Sequence, residues 1–186
     1  MSYSSYATEW QTESSRLNMD SRTAGPRCEP MTTAHDVPAD LLIAELASRI
    51  AEMSDITAPD WADYAKTGTH RERPPVQSDW WQVRSAAILR KVCMLGPIGV
   101  NHMSQLFGGP KDRGVKQNRA VAGSRNVART IMQQLTSAGL ITSKHNPAGT
   151  VNLGKVLTSE GQSLLDEVAH TVRPQAEERY PGLSNY

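Results

Sequence analysis

GSRNVARTIMQQLTSAGLI, residues 123–141, decides the fold. Ser124 stands where a helix needs a cap, and behind it Val127, Ala128, Ile131, Leu135 and Ala138 recur at three- and four-residue steps. Those residues share one side of a helix, while Arg125, Asn126, Arg129, Gln133 and Thr136 share the other. Gly139 stops it as the residue past the C-terminus, where a left-handed backbone costs glycine nothing. The period then changes. Residues 140–143 and 150–157 read as two strands around HNPAG, a β-hairpin with a longer loop. A last helix is expected from Ser159, where Ser-Glu-Gly-Gln fits a capping box. It buries Leu164, Leu165, Val168 and Val172, and Pro174 helps to stop it.

Upstream of this block the pattern is helical again. Leu42, Leu46, Ile50 and Met53 form one stripe, with Asp36 as a candidate cap. A short helix fits 59–66, PDWADYAK, whereas Pro74 and Pro75 forbid regular structure in 67–77. Ser78 is placed to cap a strong helix reaching to about Leu95, closed by Gly96 and Pro97. On it Trp81, Ser85, Ile88, Leu89, Val92 and Cys93 share a core side. Trp80, Arg84, Ala87 and Lys91 share the opposite, basic side, with Arg90 at its edge. Residues 97–107 give a further helix, and GGPKDRGVKQNRAVAG, 108–123, reads as a glycine-rich basic loop. Helix, helix, amphipathic helix, hairpin, helix is the order of a winged helix-turn-helix. The fold class expected is mainly α, a winged helix-turn-helix with a C-terminal β-hairpin wing and extra N- and C-terminal helices.

Charge is segregated along the chain. The net charge is only +1, yet twelve of the 20 Lys and Arg and three of the 19 acids lie between Lys66 and Thr130, so that stretch carries +9. The remaining eight bases and sixteen acids leave −8 elsewhere. Such segregation gives one face a strong positive potential on a nearly neutral protein, as a polyphosphate binder requires. Arg84, Arg90 and Lys91 on the exposed side of their helix suit phosphates; as solvated charges they, like Arg73, would serve only solubility. Trp80 beside Arg84 is placed either to stack on an unpaired base or to cover the core edge under the proline-rich loop.

Composition closes off other classes. A chain of 186 residues supports one compact domain, residues 31–186, behind a disordered or spurious extension at 1–30 that is rich in Ser, Thr and Arg. Cys28 and Cys93 give no disulfide framework, which favours a reduced cytosolic setting. No apolar run approaches the roughly 20 residues of a membrane span, and the N-terminus lacks the apolar core of a secretory signal. Gly108-Gly109-Pro110-Lys111 lacks the spacing of a nucleotide-binding P-loop. His35, His70, His102, His145 and His170 show no metal spacing, and no catalytic constellation is present. The chain is therefore expected to be no enzyme and to need no cofactor or metal.

Five blocks of the chain match something specific: PDWADYAKTGTHRERPP, DWWQVRSAAILRKV, GPIGVNHMSQLFGGPKDRGVK, GSRNVARTIMQQLTSAGLI and GKVLTSEGQSLLD. In order, and nearly without gaps from Val37 to Val172, they resemble the archaeal and eukaryotic small-subunit ribosomal protein S-nineteen-e family, in its archaeal form. The resemblance implies a helical winged-helix protein held by ribosomal RNA on the head of the small (30S) subunit. It would be a monomer beside neighbouring head proteins in cytoplasmic ribosomes, and would aid ribosomal RNA maturation and subunit assembly. The family's RNA-facing arginines carry over to Arg84 and Arg90, with Lys91 beside them. Its loop and third-helix bases carry over to Lys111, Arg113, Lys116, Arg125 and Arg129, and Arg71 in the TGTHRERPP block joins the candidate contacts. Cys93, residues 101–104 and Gln117 depart from the family pattern. The alternative is a winged-helix DNA-binding transcription regulator, a class that usually dimerises on paired half-sites.

Overall fold

Helix α2 (Trp80–Leu95) is the centre of the core, and the computed structural model describes residues 32–185 around it. The expectations for residues 1–30, Cys28 among them, lie outside that range. α2 packs against α1 (Ala39–Ala51), α4 (Arg125–Ser137) and strand β4 (Asn152–Leu157), so only a narrow strip of its surface stays open. Its core side is the expected one: Trp81, Ser85, Ile88, Leu89 and Val92 are buried, while Cys93 is half-buried. Trp81 has no exposed surface, and its ring meets Trp61 and Trp80 edge-on at 5.6 and 5.2 Å. Its indole Nε1 donates to Gln134 Oε1 at 3.0 Å, and Gln134 Nε2 donates to the Thr57 carbonyl at 2.7 Å. One glutamine thus satisfies the buried indole, as a buried donor demands, and ties the backbone at Thr57 to α4.

Several boundaries differ from the expectation, each for a local reason. Asp36 does not cap α1. Its carboxylate accepts from the Thr33 backbone N–H and hydroxyl, both at 2.8 Å, and Pro38 occupies the cap position. Ser78 does not cap α2 either; Asp79 precedes its first turn without a side-chain bond. The expected helix at 59–66 is a single 3-10 turn, Asp60–Asp63. Helix α3 is only Val100–Leu106, because Ile98 exchanges two backbone bonds with Lys155, 3.0 and 2.9 Å long. That exchange lays residue 98 against β4 as a single bridge, and Gly154 is required there. Its φ is +135°, and a Cβ would sit 2.8 Å from the Ile98 backbone.

The cap of α5 (Ser159–Arg179) is Thr158, one residue earlier than expected, and its hydroxyl accepts from the Gly161 N–H at 3.2 Å. Pro174 does not stop α5 but sits inside it. Both Pro174 and His170, whose carbonyl loses its partner, are on the exposed side, where water can replace the missing bond. A Cβ on Gly161 would collide with the Leu140 carbonyl. Gly161→Ala is therefore expected to lower stability by about 1–3 kcal/mol, read as a drop in thermal midpoint. An unchanged midpoint would contradict that packing.

The largest departure is at 108–123. This segment is not a loop but an antiparallel hairpin, β1 (Gly109–Arg113) with β2 (Lys116–Val121), turned at Gly114 with φ +69°. A second hairpin pairs β3 (Ile141–His145) with β4, as the sequence anticipates. Five α-helices and two small antiparallel hairpins make the fold mixed rather than mainly α, and compatible with a winged-helix-like arrangement. The cap of α4 is as expected: Ser124 Oγ accepts from the Val127 N–H at 3.4 Å, and Gly139 follows with φ +76°.

Candidate nucleic-acid interface

Local chemistry makes β1–β2 a projecting arm. GPKDR and KQNRAV offer no apolar alternation, so neither face is buried, and Val115 at the tip is fully exposed. Pairing places Lys111 opposite Arg119 and Arg113 opposite Lys116. Like charges facing across a ladder destabilise it, and no carboxylate intervenes except Asp112, which instead accepts from the Gly114 N–H at 2.8 Å. The root of the arm is fixed by close backbone approach. Gly123 forms a bridge with Gly68, and the Ser124 N–H donates to the Thr67 carbonyl at 2.8 Å. A Cβ on Gly123 would lie 2.7 Å from the Phe107 carbonyl, and one on Gly108 would strike the Val121 carbonyl. Residues 67–69, α3, the arm and the start of α4 are thereby joined at one place.

The same junction gathers the arginines. A cavity of about 870 Å³ lies between α2, the end of α3 and the segment 67–77. Arg71, Arg73 and Arg84 line it, above a floor that includes Trp80, Val83 and Phe107. The Arg84 guanidinium carbon lies 4.3 Å from the centre of the Phe107 ring. Burial, and secondly the like charge of Arg71, pull Arg84 below the usual arginine range. A second hollow of about 400 Å³ brings Lys66 and Lys111 together with Gly123 and Ser124. Arg125 and Arg129 then follow on the exposed side of α4.

Seen residue by residue, Arg71 and Arg84 share one cavity, Lys111 shares the adjoining hollow, and Arg125 adjoins its rim. Arg113 and Lys116 stand farther out on the arm. Arg90 and Lys91 continue the open strip of α2 one to two turns beyond Arg84, and the Arg90 Nε is enclosed without a hydrogen-bond partner. The Arg90 charge partly offsets the pull of burial and Asp166, which together raise the Cys93 thiol. Of the two readings of Trp80, the structure fits the second: it is 8% exposed and covers the core edge. Phe107, His70 and Thr67 were not singled out by sequence, since an aromatic at a helix end carries no charge signal. His70 packs into the space that Gly68 and Gly109 leave, with its Nδ1 unpartnered.

The decisive electrostatic fact is what these bases lack. Among the described residues the salt bridges are Arg49–Glu167, Arg173–Glu177 and Arg179–Asp40, all outside residues 66–130. None of the twelve bases of that stretch is held by a carboxylate. Also among the described residues, no group of His, Cys, Asp or Glu could hold a metal ion, and no helix is long and apolar enough to cross a membrane.

Residues 33–175 match the family described as ribosomal protein S19e. The chain is similar to small ribosomal subunit protein eS19 of Haloarcula marismortui, 41% identical over 143 residues that cover 75% of this chain and 90% of the relative. It is similar to the eS19 of Aeropyrum pernix, 37% identical over 158 residues covering 84% and 99%. The eS19A of Schizosaccharomyces pombe is 32% identical over 143 residues, covering 77% and 95%.

Proposed function

The chain belongs to the ribosomal protein S19e family as an archaeal member, a structural and non-enzymatic family, and we propose that it binds ribosomal RNA in the head of the small subunit. In this reading α3 and α4 form the helix-turn-helix, and β3–β4 with Ile98 at its root forms the wing. The arm β1–β2, the segment 67–73, the open strip of α2 and the start of α4 clamp phosphates of folded RNA. Arg71, Arg84, Arg90, Lys91, Lys111, Arg113, Lys116, Arg125 and Arg129 supply the charge, while Trp80 holds the floor beneath them. Neighbouring head proteins complete the setting, the chain is a monomer within the cytoplasmic ribosome, and it aids ribosomal RNA maturation and assembly.

One observation carries this reading: like charges are paired across β1–β2 with no carboxylate to relieve them. Evolution of a solvated arm has no use for that cost, whereas a polyanion repays it. RNA duplexes hide their major groove, so recognition follows backbone and shape rather than sequence. No observation favours the transcription-regulator alternative.

Two measurements test the proposal. Neutralising about six to eight phosphates gives a log–log salt slope on the order of −4 to −7 in filter binding to small-subunit ribosomal RNA. A flat series would refute phosphate clamping. In sucrose gradients of lysate at low salt the chain is expected to travel with small subunits; a free dimer that shifts palindromic duplex DNA would instead establish the regulator.

A further inference from the structure

The cavity beside α2 has a chemistry that phosphate clamping alone does not need. We propose that it receives a single unpaired RNA nucleotide, its base seated on the apolar floor against Arg84 and its phosphate held by Arg71 and Arg73. The proposal rests on the RNA-binding reading above.

Size comes first. At about 870 Å³ the cavity falls within the range of small-molecule sites, roughly 300–1,000 Å³. Its lining divides by kind. Trp80, Val83, Ala87 and Phe107 make an apolar and aromatic floor, and Arg71, Arg73 and Arg84 make a cationic rim. A nucleotide divides in the same way, into a flat π-face and an anion. Paired bases in a duplex have no free face to offer such a floor, so only an unstacked one can use it.

Arg84 is the hinge of the argument. Its guanidinium already lies over Phe107, and a planar guanidinium that has an aromatic ring on one side can take a base on the other. Glu72 is the one acid on the rim, and it forms no salt bridge with any of the three arginines. The like charge of Arg71 bears on Arg84 unrelieved. An acidic peptide would answer the charge but would bring no flat face to the floor, so the nucleotide is the better fit.

The test uses the full chain and two nine-residue RNA strands. One is oligouridine with a central adenosine; the other has an abasic sugar at that position and the same phosphates. Stacking of the base on the Arg84 plane above the apolar floor predicts that the abasic strand binds about tenfold more weakly. Arg84→Lys keeps the charge and loses the plane, so it should erase the difference between strands. Circular dichroism would verify that the variant folds, and the comparison on the unaltered chain stands without it. A central 4-thiouridine should photo-crosslink to peptides spanning 67–87 or 105–108.

Equal affinity for both strands, with a steep salt dependence, would overturn the nucleotide site and leave the RNA-binding reading standing. Binding of neither strand, and of no ribosomal RNA, would overturn that reading itself. Crosslinks confined to 109–121 would place the base on the arm and reject the cavity. Displacement of the RNA by hexaglutamate at lower concentration than by free strand would assign the cavity to an acidic peptide.

Discussion

Trp81→Ala is expected to remove about 3–5 kcal/mol of stability and to lower the thermal midpoint by roughly 10 °C or more. Three losses combine. The largest side chain of the core vanishes from a site with no exposed surface, so the surroundings cannot drain the void with solvent. Both edge-on ring contacts, to Trp61 and Trp80, are broken. Gln134 loses its donor, and with it part of the reason to hold the Thr57 carbonyl. Trp81→Phe separates these terms, since it keeps most of the volume while deleting the indole N–H. It should cost about 1–3 kcal/mol, the price of an acceptor left without its partner. Scanning calorimetry on the three proteins decides the matter. An alanine variant within 2 °C of the parent would mean that α2 is not the centre of the core (~1 kcal/mol or less on this scale).

The second large effect concerns the arm. Changing Lys111, Arg113, Lys116 and Arg119 together to Gln should reduce affinity for ribosomal RNA on the order of a thousandfold at 0.1 M salt. Each phosphate contact contributes a slope of about 0.7–0.9, so losing four flattens the log–log line by about 3. Stability should not fall, because the substitution removes like charges that face one another across the ladder. That combination is diagnostic: binding collapses while the melting temperature holds or rises. Undiminished affinity in a folded variant would take the arm out of the interface. A parallel variant with Arg49, Arg173 and Arg179 changed to Gln removes three charges elsewhere, from bases that have carboxylate partners, and controls for charge loss as such.

How far the sequence discloses this architecture depends on whether burial leaves a mark in it. Helix α4 was legible at Val127, Ala128, Ile131 and Leu135, because half its surface is core and half is solvent, though buried Met132 was missed. The core side of α2 was legible for the same reason, but its other side was not. Trp80 sits among Arg84, Ala87 and Lys91 by angle, which left both stacking and covering the core edge open; it is buried, and no periodicity decides between the two. The hairpin at 109–121 escaped because neither of its faces is buried, so the two-residue alternation that betrays a strand never arises. Its mark is Gly114, a turn residue that an amphipathic search ignores. Pro174 misled in the opposite direction, since a helix can carry a proline where the carbonyl it frees faces water. The bases of the interface were all visible as charges. Their convergence was not, for it depends on Thr67, Gly68, Gly108 and Gly123, residues that carry no charge and few atoms.

The bridge between Gly68 and Gly123, with Ser124 bonded to Thr67, spans more than fifty positions of the polymer. A ribosome making this chain has therefore long since released Arg71 and Arg84 before the residues that pin the segment at 67–68 exist. Prematurely ended products would own most of the cations and none of the shape. On the proposed reading, only a chain completed past residue 124 holds RNA there.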